Sequence, residues 1–268
     1  MTERTEAVIV EDVRIDVVAK MISIGGFPVR ADGYQAARAT IVESIRARRK
    51  LAVLFANTHF VTSCQTLRPR FGAHPQVCIL NDGIGLSLAA HLVSGQSFAE
   101  NLNGTDFVPR LLADADAPLR VFLLGSTEQS VAAAAAALAV LPHVTIAGTN
   151  DGYSFWQAQD DLRERINAAK ADIVLVALGS PLQEQWILDN WECLETPALF
   201  GVGALFDFLS GEERRAPLWM RRLGLEWFHR LWRNPRRLLY RYTVEAAAFF
   251  RLVWRHRAAT DSRPLDGA

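Results

Sequence analysis

Four short stretches of this sequence set carboxylates, amides, hydroxyls and glycines at the ends of apolar runs. Side chains there can reach a bound ligand. The first is Phe55-Ala56-Asn57-Thr58-His59. Asn57 either hydrogen-bonds a substrate or, like Thr58, caps the helix that follows. The second is Leu80-Asn81-Asp82-Gly83-Ile84-Gly85. A carboxylate at Asp82 can serve as a general base, taking a proton from a hydroxyl. Gly83 lets backbone N–H groups approach a ligand closely. Asp-Gly is equally a turn signal, so a plain tight turn stays open as a reading.

The third stretch is Leu178-Gly179-Ser180-Pro181-Leu182-Gln183-Glu184. Proline at a helix start leaves an N-terminus that can receive a phosphate. No lysine follows, as it would in a Walker A loop. Gly125-Ser126-Thr127 has the same character, and an ordinary strand-to-helix turn accounts for either. The fourth is Gly201-Val202-Gly203-Ala204-Leu205-Phe206-Asp207. It lacks the third glycine of a dinucleotide fingerprint and comes late in the chain, which argues against NAD. Asp207 can instead accept the N–H of a base such as uracil. Asp114-Ala115-Asp116 spells a DxD metal pair, but it falls between a helix and Pro118, where a solvated loop is expected. Asp160-Asp161 suits a helix start. No metal is expected. Three widely spaced cysteines, Cys64, Cys78 and Cys193, form no zinc or disulfide pattern.

The elements that hold these turns alternate. Strands are predicted at Val8–Val18, Leu51–Phe55, Val77–Leu80, Leu119–Leu124, Val144–Ala147, Ile173–Leu178 and Ala198–Val202. Helices are predicted at Tyr34–Arg49, Phe60–Phe71, Ser87–Leu92, Thr105–Leu112, Glu128–Val140, Asp160–Ala169 and Gln183–Trp191. This alternation specifies an α/β fold with a mostly parallel sheet and helices on both faces. The inner strands are continuous apolar runs, as strands covered on both sides require. Ligands of such sheets sit beyond the carboxyl ends of the strands, where all four stretches fall.

The 268 residues balance 29 Lys and Arg against 29 Asp and Glu. The balance is uneven along the chain. From Glu212 to Arg257, twelve arginines face four glutamates, an excess of about +8 that the remainder offsets. Trp219, Leu223, Trp227, Leu231 and Trp232 alternate there with Arg221, Arg222, Arg230 and Arg233. We therefore divide the chain into a catalytic domain at 1–210, a basic helical appendage at 211–257 and a flexible tail at 258–268. Trp227, Arg230, Trp232, Arg233, Arg236 and Arg237 are the candidates for docking on an anionic membrane surface. Nucleic-acid binding is not expected, since no recognised module accompanies these residues. A packed helix pair with a solvated arginine face is the structural alternative. The acidic N-terminus lacks a signal-peptide pattern, and no run of about 18 apolar residues suggests a membrane span.

Taken in order, Asn81-Asp82-Gly83-Ile84-Gly85, Asn103-Gly104-Thr105-Asp106, Asp151-Gly152-Tyr153 and Leu178–Glu184 resemble the WecG/TagA/CpsF family, glycosyltransferase family 26. Gly201–Asp207, Arg215-Ala216-Pro217 and Leu225-Glu226-Trp227 continue the likeness, which runs from about Ala52 to Tyr242. The resemblance implies a Rossmann-like fold of its own type. It also implies inverting transfer from a UDP-sugar to a sugar on a polyprenyl diphosphate, without a divalent metal. It marks Asp82 as the base, and Asn57 is the second catalytic candidate. Gly83, Gly125, Ser126, Gly179, Ser180, Gln183, Gly203 and Asp207 would line the nucleotide-sugar site. The appendage would close over that site and hold the enzyme to the inner face of the cytoplasmic membrane, beside other polysaccharide assembly enzymes.

Two departures matter. Phe55 stands where many relatives have threonine. An arginine common near Asn101 is absent, and Arg214 or Arg215 is the expected substitute for stabilising the diphosphate. The Phe55-Ala56-Asn57-Thr58 spelling is nearer the exopolysaccharide branch, which points to a glucose donor. The alternatives are an N-acetylmannosamine or N-acetylmannosaminuronic acid donor, an oxidoreductase, and a non-catalytic scaffold of polysaccharide assembly.

Overall fold

A computed structural model describes residues 19–74, 76–154, 159–213, 215–217, 220, 231 and 241–261. The predicted strand at Val8–Val18 lies outside them. So do Arg214, Trp227, Arg230, Trp232, Arg233, Arg236 and Arg237.

The described chain opens with a hairpin, β1 (Met21–Ile24) and β2 (Phe27–Arg30). It turns at Gly25 and Gly26, both at positive φ. The sequence reading did not anticipate it, because strands of four residues carry too little periodicity. Then follow α1 (Tyr34–Arg46), β3 (Leu51–Ala56), α2 (Thr58–Ser63), α3 (Arg68–Ala73), β4 (Val77–Asn81), α4 (Ile84–Ser94) and α5 (Gly104–Ala113). The second half runs β5 (Leu119–Gly125), α6 (Glu128–Leu138), β6 (Val144–Asn150), α7 (Gln159–Ala168), β7 (Ile173–Ala177), α8 (Leu182–Asp189), β8 (Ala198–Gly201) and α9 (Leu205–Leu209). The last element is α10 (Ala246–Asp261), entered through a π-helical turn at Arg241–Glu245.

One sheet has the order β1-β2-β4-β3-β8-β7-β5-β6, and every pairing except β1–β2 is parallel. Apolar side chains fill a layer on each face. One layer joins Phe60 and Val61 of α2, Leu86 and Ala89 of α4, Ile166 of α7, Trp186 of α8 and Phe249 and Val253 of α10. The other joins Ala37 and Ile41 of α1, Phe107 and Leu111 of α5, Ala134 of α6 and Leu205 of α9. The expected fold class is what the chain adopts.

Three differences have physical causes. The single helix expected at Phe60–Phe71 is broken at Cys64 by a 3-10 turn, Gln65–Leu67, and restarts with Pro69 near its first turn. The short α9 hid inside the Gly203–Asp207 motif. The C-terminal helix continues through Asp261, past the expected boundary at residue 257, and buries Phe249 and Val253 in the main core.

Candidate active site

The connection after β5 runs toward β6 and the one after β7 toward β8, in opposite directions across the sheet. Such a switch point opens a crevice at the carboxyl ends of the strands. Asn57, Asp82, Gly125, Ser126, Gly179, Ser180 and Gly203 all sit there, each just past or at the end of its strand. From β4 to β5 the row crosses four strand spacings, roughly 19 Å.

At one end stands Asp82, half-buried. Its backbone N–H bonds to the Ala56 carbonyl at 2.7 Å, which ties the turn after β4 to the end of β3. Asn57 Nδ2 donates to Asp82 Oδ2 at 3.4 Å. The same Asn57 accepts the Phe60 N–H at 3.0 Å through Oδ1, capping α2. The cap reading of Asn57 is met by one end of the amide, and the other end touches the Asp82 carboxylate. Gly83, at φ +92°, donates its N–H to Asn101 Oδ1 at 2.8 Å. Asn101 thus fixes the turn that carries Asp82. No side chain caps the first turn of α4 at Gly83.

The middle of the row is built on α8. Gln183 Oε1 accepts the Gly203 N–H at 2.9 Å, joining the β7 and β8 turns. Gln183 Nε2 and Ser180 Oγ both donate to Glu184 Oε1, at 2.8 and 2.9 Å. Glu184 is fully buried, and burial pushes its carboxyl well above the usual carboxylate range. A buried acid inside α8 thus anchors both Gln183 and Ser180, a role that nothing in the sequence had marked. The first turn of α8 has no side-chain cap, whereas α6 is capped by Thr127, which accepts the Ser130 N–H. Of the two helix ends expected to meet a diphosphate, α8 has the free one.

At the far end Ser126 Oγ donates to Asp207 Oδ1 at 2.6 Å. Gly152 donates its N–H to the Ser126 carbonyl at 2.8 Å, so the Asp151-Gly152-Tyr153 turn closes this end. Asp151 accepts from the Tyr153 and Ser154 N–H groups and from the Ser154 hydroxyl, and these bonds hold its carboxyl low. His59 links the middle of the row to the C-terminal segment: Nε2 lies 3.3 Å from the Ser180 carbonyl and Nδ1 3.1 Å from Glu245, just before α10. Nothing in the sequence marked Glu245 as a neighbour of the site.

Arg215 forms a bidentate pair with Asp106, its Nη2 3.0 Å from Oδ2. Its guanidinium is thus engaged beside α5. Phe55 is buried. Its ring packs on Phe107, and a side chain at Gly104 would strike it at 2.9 Å. The Asp114 and Asp116 carboxylates are held by Tyr34 and Arg46. They lie just before β5, at the opposite end of the sheet, beside a cavity of about 290 Å³ lined by Arg46, Pro118 and Asp172.

The sequence pattern of the WecG/TagA/CpsF glycosyl transferase family matches residues 22–263. The chain is 36% identical over 159 residues to the N-acetylglucosaminyldiphosphoundecaprenol N-acetyl-beta-D-mannosaminyltransferase of Bacillus subtilis strain 168, which is 59% of this chain and 61% of that relative. It is 33% identical over 184 residues to the protein of the same description in Bacillus spizizenii strain W23, covering 68% and 70% of the two chains. The chain thus spans about three fifths of the first relative's length.

Proposed function

The chain belongs to the WecG/TagA/CpsF glycosyltransferase family, and from that premise we propose that it moves an N-acetylated hexosamine from a UDP-sugar onto a sugar carried by a polyprenyl diphosphate. Both named relatives are N-acetylmannosaminyltransferases acting on a lipid-linked N-acetylglucosamine. The glucose reading rested on the spelling around Phe55. Because Phe55 packs in the core against Phe107, its identity says little about the donor, and glucose becomes the second reading.

The observation that carries the mechanism is the Asn57–Asp82 pair at one end of the crevice. Asp82 takes the proton of the acceptor hydroxyl. The freed oxygen attacks the anomeric carbon, the bond to the diphosphate breaks, and its electron pair leaves with UDP. One displacement inverts the centre. Ser126 fixes one oxygen of Asp207, and the other accepts the uracil N–H. The uncapped first turn of α8 and the N–H groups near Gly179 and Ser180 face the diphosphate. Arg215, once released from Asp106, adds a positive charge. Gly83, Gly125, Gln183 and Gly203 shape the floor. This charge supply needs no divalent metal, so turnover should persist in EDTA. The segment at 211–257 brings the enzyme to the cytoplasmic face of the membrane, where other polysaccharide assembly enzymes would work beside it. Among the described residues no helix is long and apolar enough to cross a membrane.

The test is UDP release with short-chain polyprenyl-diphosphate acceptors bearing N-acetylglucosamine or glucose, against a panel of UDP-sugars. Release with an N-acetylhexosamine donor and the N-acetylglucosamine acceptor supports this reading. Release only with the glucose pair selects the second reading. No release and no UDP binding would refute both.

A further inference from the structure

Four asparagines lie on the segments that meet at the Asp82 turn. Asn57 spends both ends of its amide, on the Phe60 N–H and on Asp82. Asn103 spends both as well: Oδ1 accepts the Asp106 N–H at 3.0 Å and Nδ2 donates to Asp106 Oδ2 at 3.0 Å. Asn81 is fully buried and donates through Nδ2 to the Glu100 carbonyl at 3.0 Å. Asn101 differs from these three. Its Oδ1 accepts the Gly83 N–H at 2.8 Å, while among the described residues its Nδ2 has no hydrogen-bond partner.

The orientation of the Asn101 amide is forced. A backbone N–H only donates, so the oxygen faces Gly83 and the nitrogen faces away from it. The segment is stapled on either side of Asn101. The Leu102 N–H donates to the Asn81 carbonyl at 3.1 Å, and the Glu100 carbonyl receives the Asn81 amide. Leu102 is buried, whereas Asn101 is exposed. The Glu100 carboxylate lies against Gly33, ahead of α1. Asn101 therefore presents a held, neutral donor beside Asp82, with its oxygen engaged at Gly83.

We infer that Asn101 is a specificity-determining residue for the acceptor: its Nδ2 donates to the carbonyl oxygen of an acetamido group on the acceptor sugar. This rests on the proposed function, in which Asp82 takes the proton of the acceptor hydroxyl, and deepens it. A base works within about 2.6–3.2 Å of the hydroxyl it deprotonates. The acceptor ring is then held against the Asp82–Gly83 turn, and a donor fixed on Gly83 meets another substituent of the same ring. A group left with donors alone is matched by a carbonyl, which accepts and cannot donate. The diphosphate is the competing acceptor of hydrogen bonds. The turn assigned to it, at Gly179 and Ser180, follows β7, which stands three strand spacings from β4, roughly 14 Å. The Asn101 donor is thus on the acceptor's side of the crevice.

The experiment uses two short-chain polyprenyl-diphosphate acceptors, one bearing N-acetylglucosamine and one glucose, with wild type, Asn101→Ala and Asn101→Asp. UDP release gives kcat/KM on each acceptor, and the quantity read is the ratio of the two. Both acceptors meet the same base, so a change at Asp82 or in stability cancels in that ratio. One net hydrogen bond corresponds to about a three- to tenfold preference. Wild type should favour the N-acetylglucosamine acceptor by at least that factor, and Asn101→Ala should lose the preference. Asn101→Asp keeps an oxygen for the Gly83 N–H but offers the sugar an acceptor in place of a donor. It should therefore shift the ratio further, toward glucose, whose hydroxyl can donate where the acetamido carbonyl cannot. The ratio of UDP-N-acetylhexosamine to UDP-hexose should stay constant. Equal losses on both acceptors would overturn the inference and leave Asn101 a diphosphate contact or a turn residue. A shifted donor ratio at a constant acceptor ratio would overturn it by placing Asn101 on the donor. Wild-type release on the glucose acceptor alone would overturn it while keeping the transferase reading. No release by wild type with any pair would count against the proposed function itself. Calorimetric affinities of the two acceptors would then decide the residue: a preference lost in Asn101→Ala supports the inference, and equal or absent binding overturns it.

Discussion

Replacing Gly125 with alanine should destabilise the fold by about 4 kcal/mol. Gly125 ends β5 at φ +125°. A Cβ there would stand 2.3 Å from the Ala177 carbonyl oxygen and 2.5 Å from its carbon. That carbonyl cannot retreat easily, because it accepts the Ser126 N–H at 3.0 Å and belongs to buried β7. Overpacking of this kind costs about 1–3 kcal/mol and the positive φ about 1–3 more. Gly179 is the internal control. Its φ is +77°, but an added Cβ would meet nothing within 4 Å. Gly179→Ala should cost only the conformational share, about 1–2 kcal/mol. The assay is urea unfolding. With an m-value of about 3 kcal/mol per molar, the Gly125 variant should lose over 1 M in midpoint and the Gly179 variant about half a molar or less. Equal midpoints, or a Gly125 variant within 1 kcal/mol of wild type, would refute the steric argument. The open space at Gly179 has a functional corollary. A methyl group there projects into the crevice, so Gly179→Ala should raise the KM for the UDP-sugar more than its stability loss explains.

Other perturbations separate the parts of the site. Burial raises the folded pKa of Glu184 above the value of about 4.3 in an unfolded chain. Its contribution to stability is complete below that value and lost as pH rises. Glu184→Gln, which cannot ionise, should match wild type near pH 4 and exceed it at pH 8 in thermal unfolding. A pH-independent difference would contradict the assignment. Asn57→Ser keeps a helix cap but removes the donor to Asp82. It should cost under about 1 kcal/mol in stability and lower kcat more than it raises KM, whereas an equal fall in melting temperature and activity would make the residue a cap alone. Arg215→Ala should raise the KM for the UDP-sugar or cut turnover. Asp106→Asn should do neither, since it frees the guanidinium from its bidentate pair; matching losses in both would leave only a structural ion pair.

The parallel sheet was legible because its inner strands are long and apolar on both sides. Leu51–Ala56 and Ile173–Ala177 are entirely buried, and continuous apolar runs announce that environment. The β1–β2 hairpin and α9 were not legible, since four or five residues do not establish a period. The turns were located through their glycines, because a positive φ at a strand end requires that residue at Gly125 and favours it at Gly83, Gly179 and Gly203. What each turn touches was beyond reach. Ser126–Asp207 joins residues 81 apart, Arg215–Asp106 joins residues 109 apart, and His59–Glu245 joins residues 186 apart. Such contacts depend on strand order, which alternation alone does not determine. The weight placed on Phe55 shows the same limit. A sequence difference near a site looked functional until packing on Gly104 and Phe107 explained it.

Asp82 is the base in the proposed reaction. Its most direct test is UDP release by wild type and Asp82→Asn on the same lipid-linked acceptor, with UDP binding measured by calorimetry on both. Loss of a general base lowers turnover about 10²–10⁴-fold, so the variant should lose release by that factor and bind UDP as wild type does. Turnover within a few-fold of wild type, at equal UDP affinity, would contradict the assignment of Asp82 and with it the proposed mechanism.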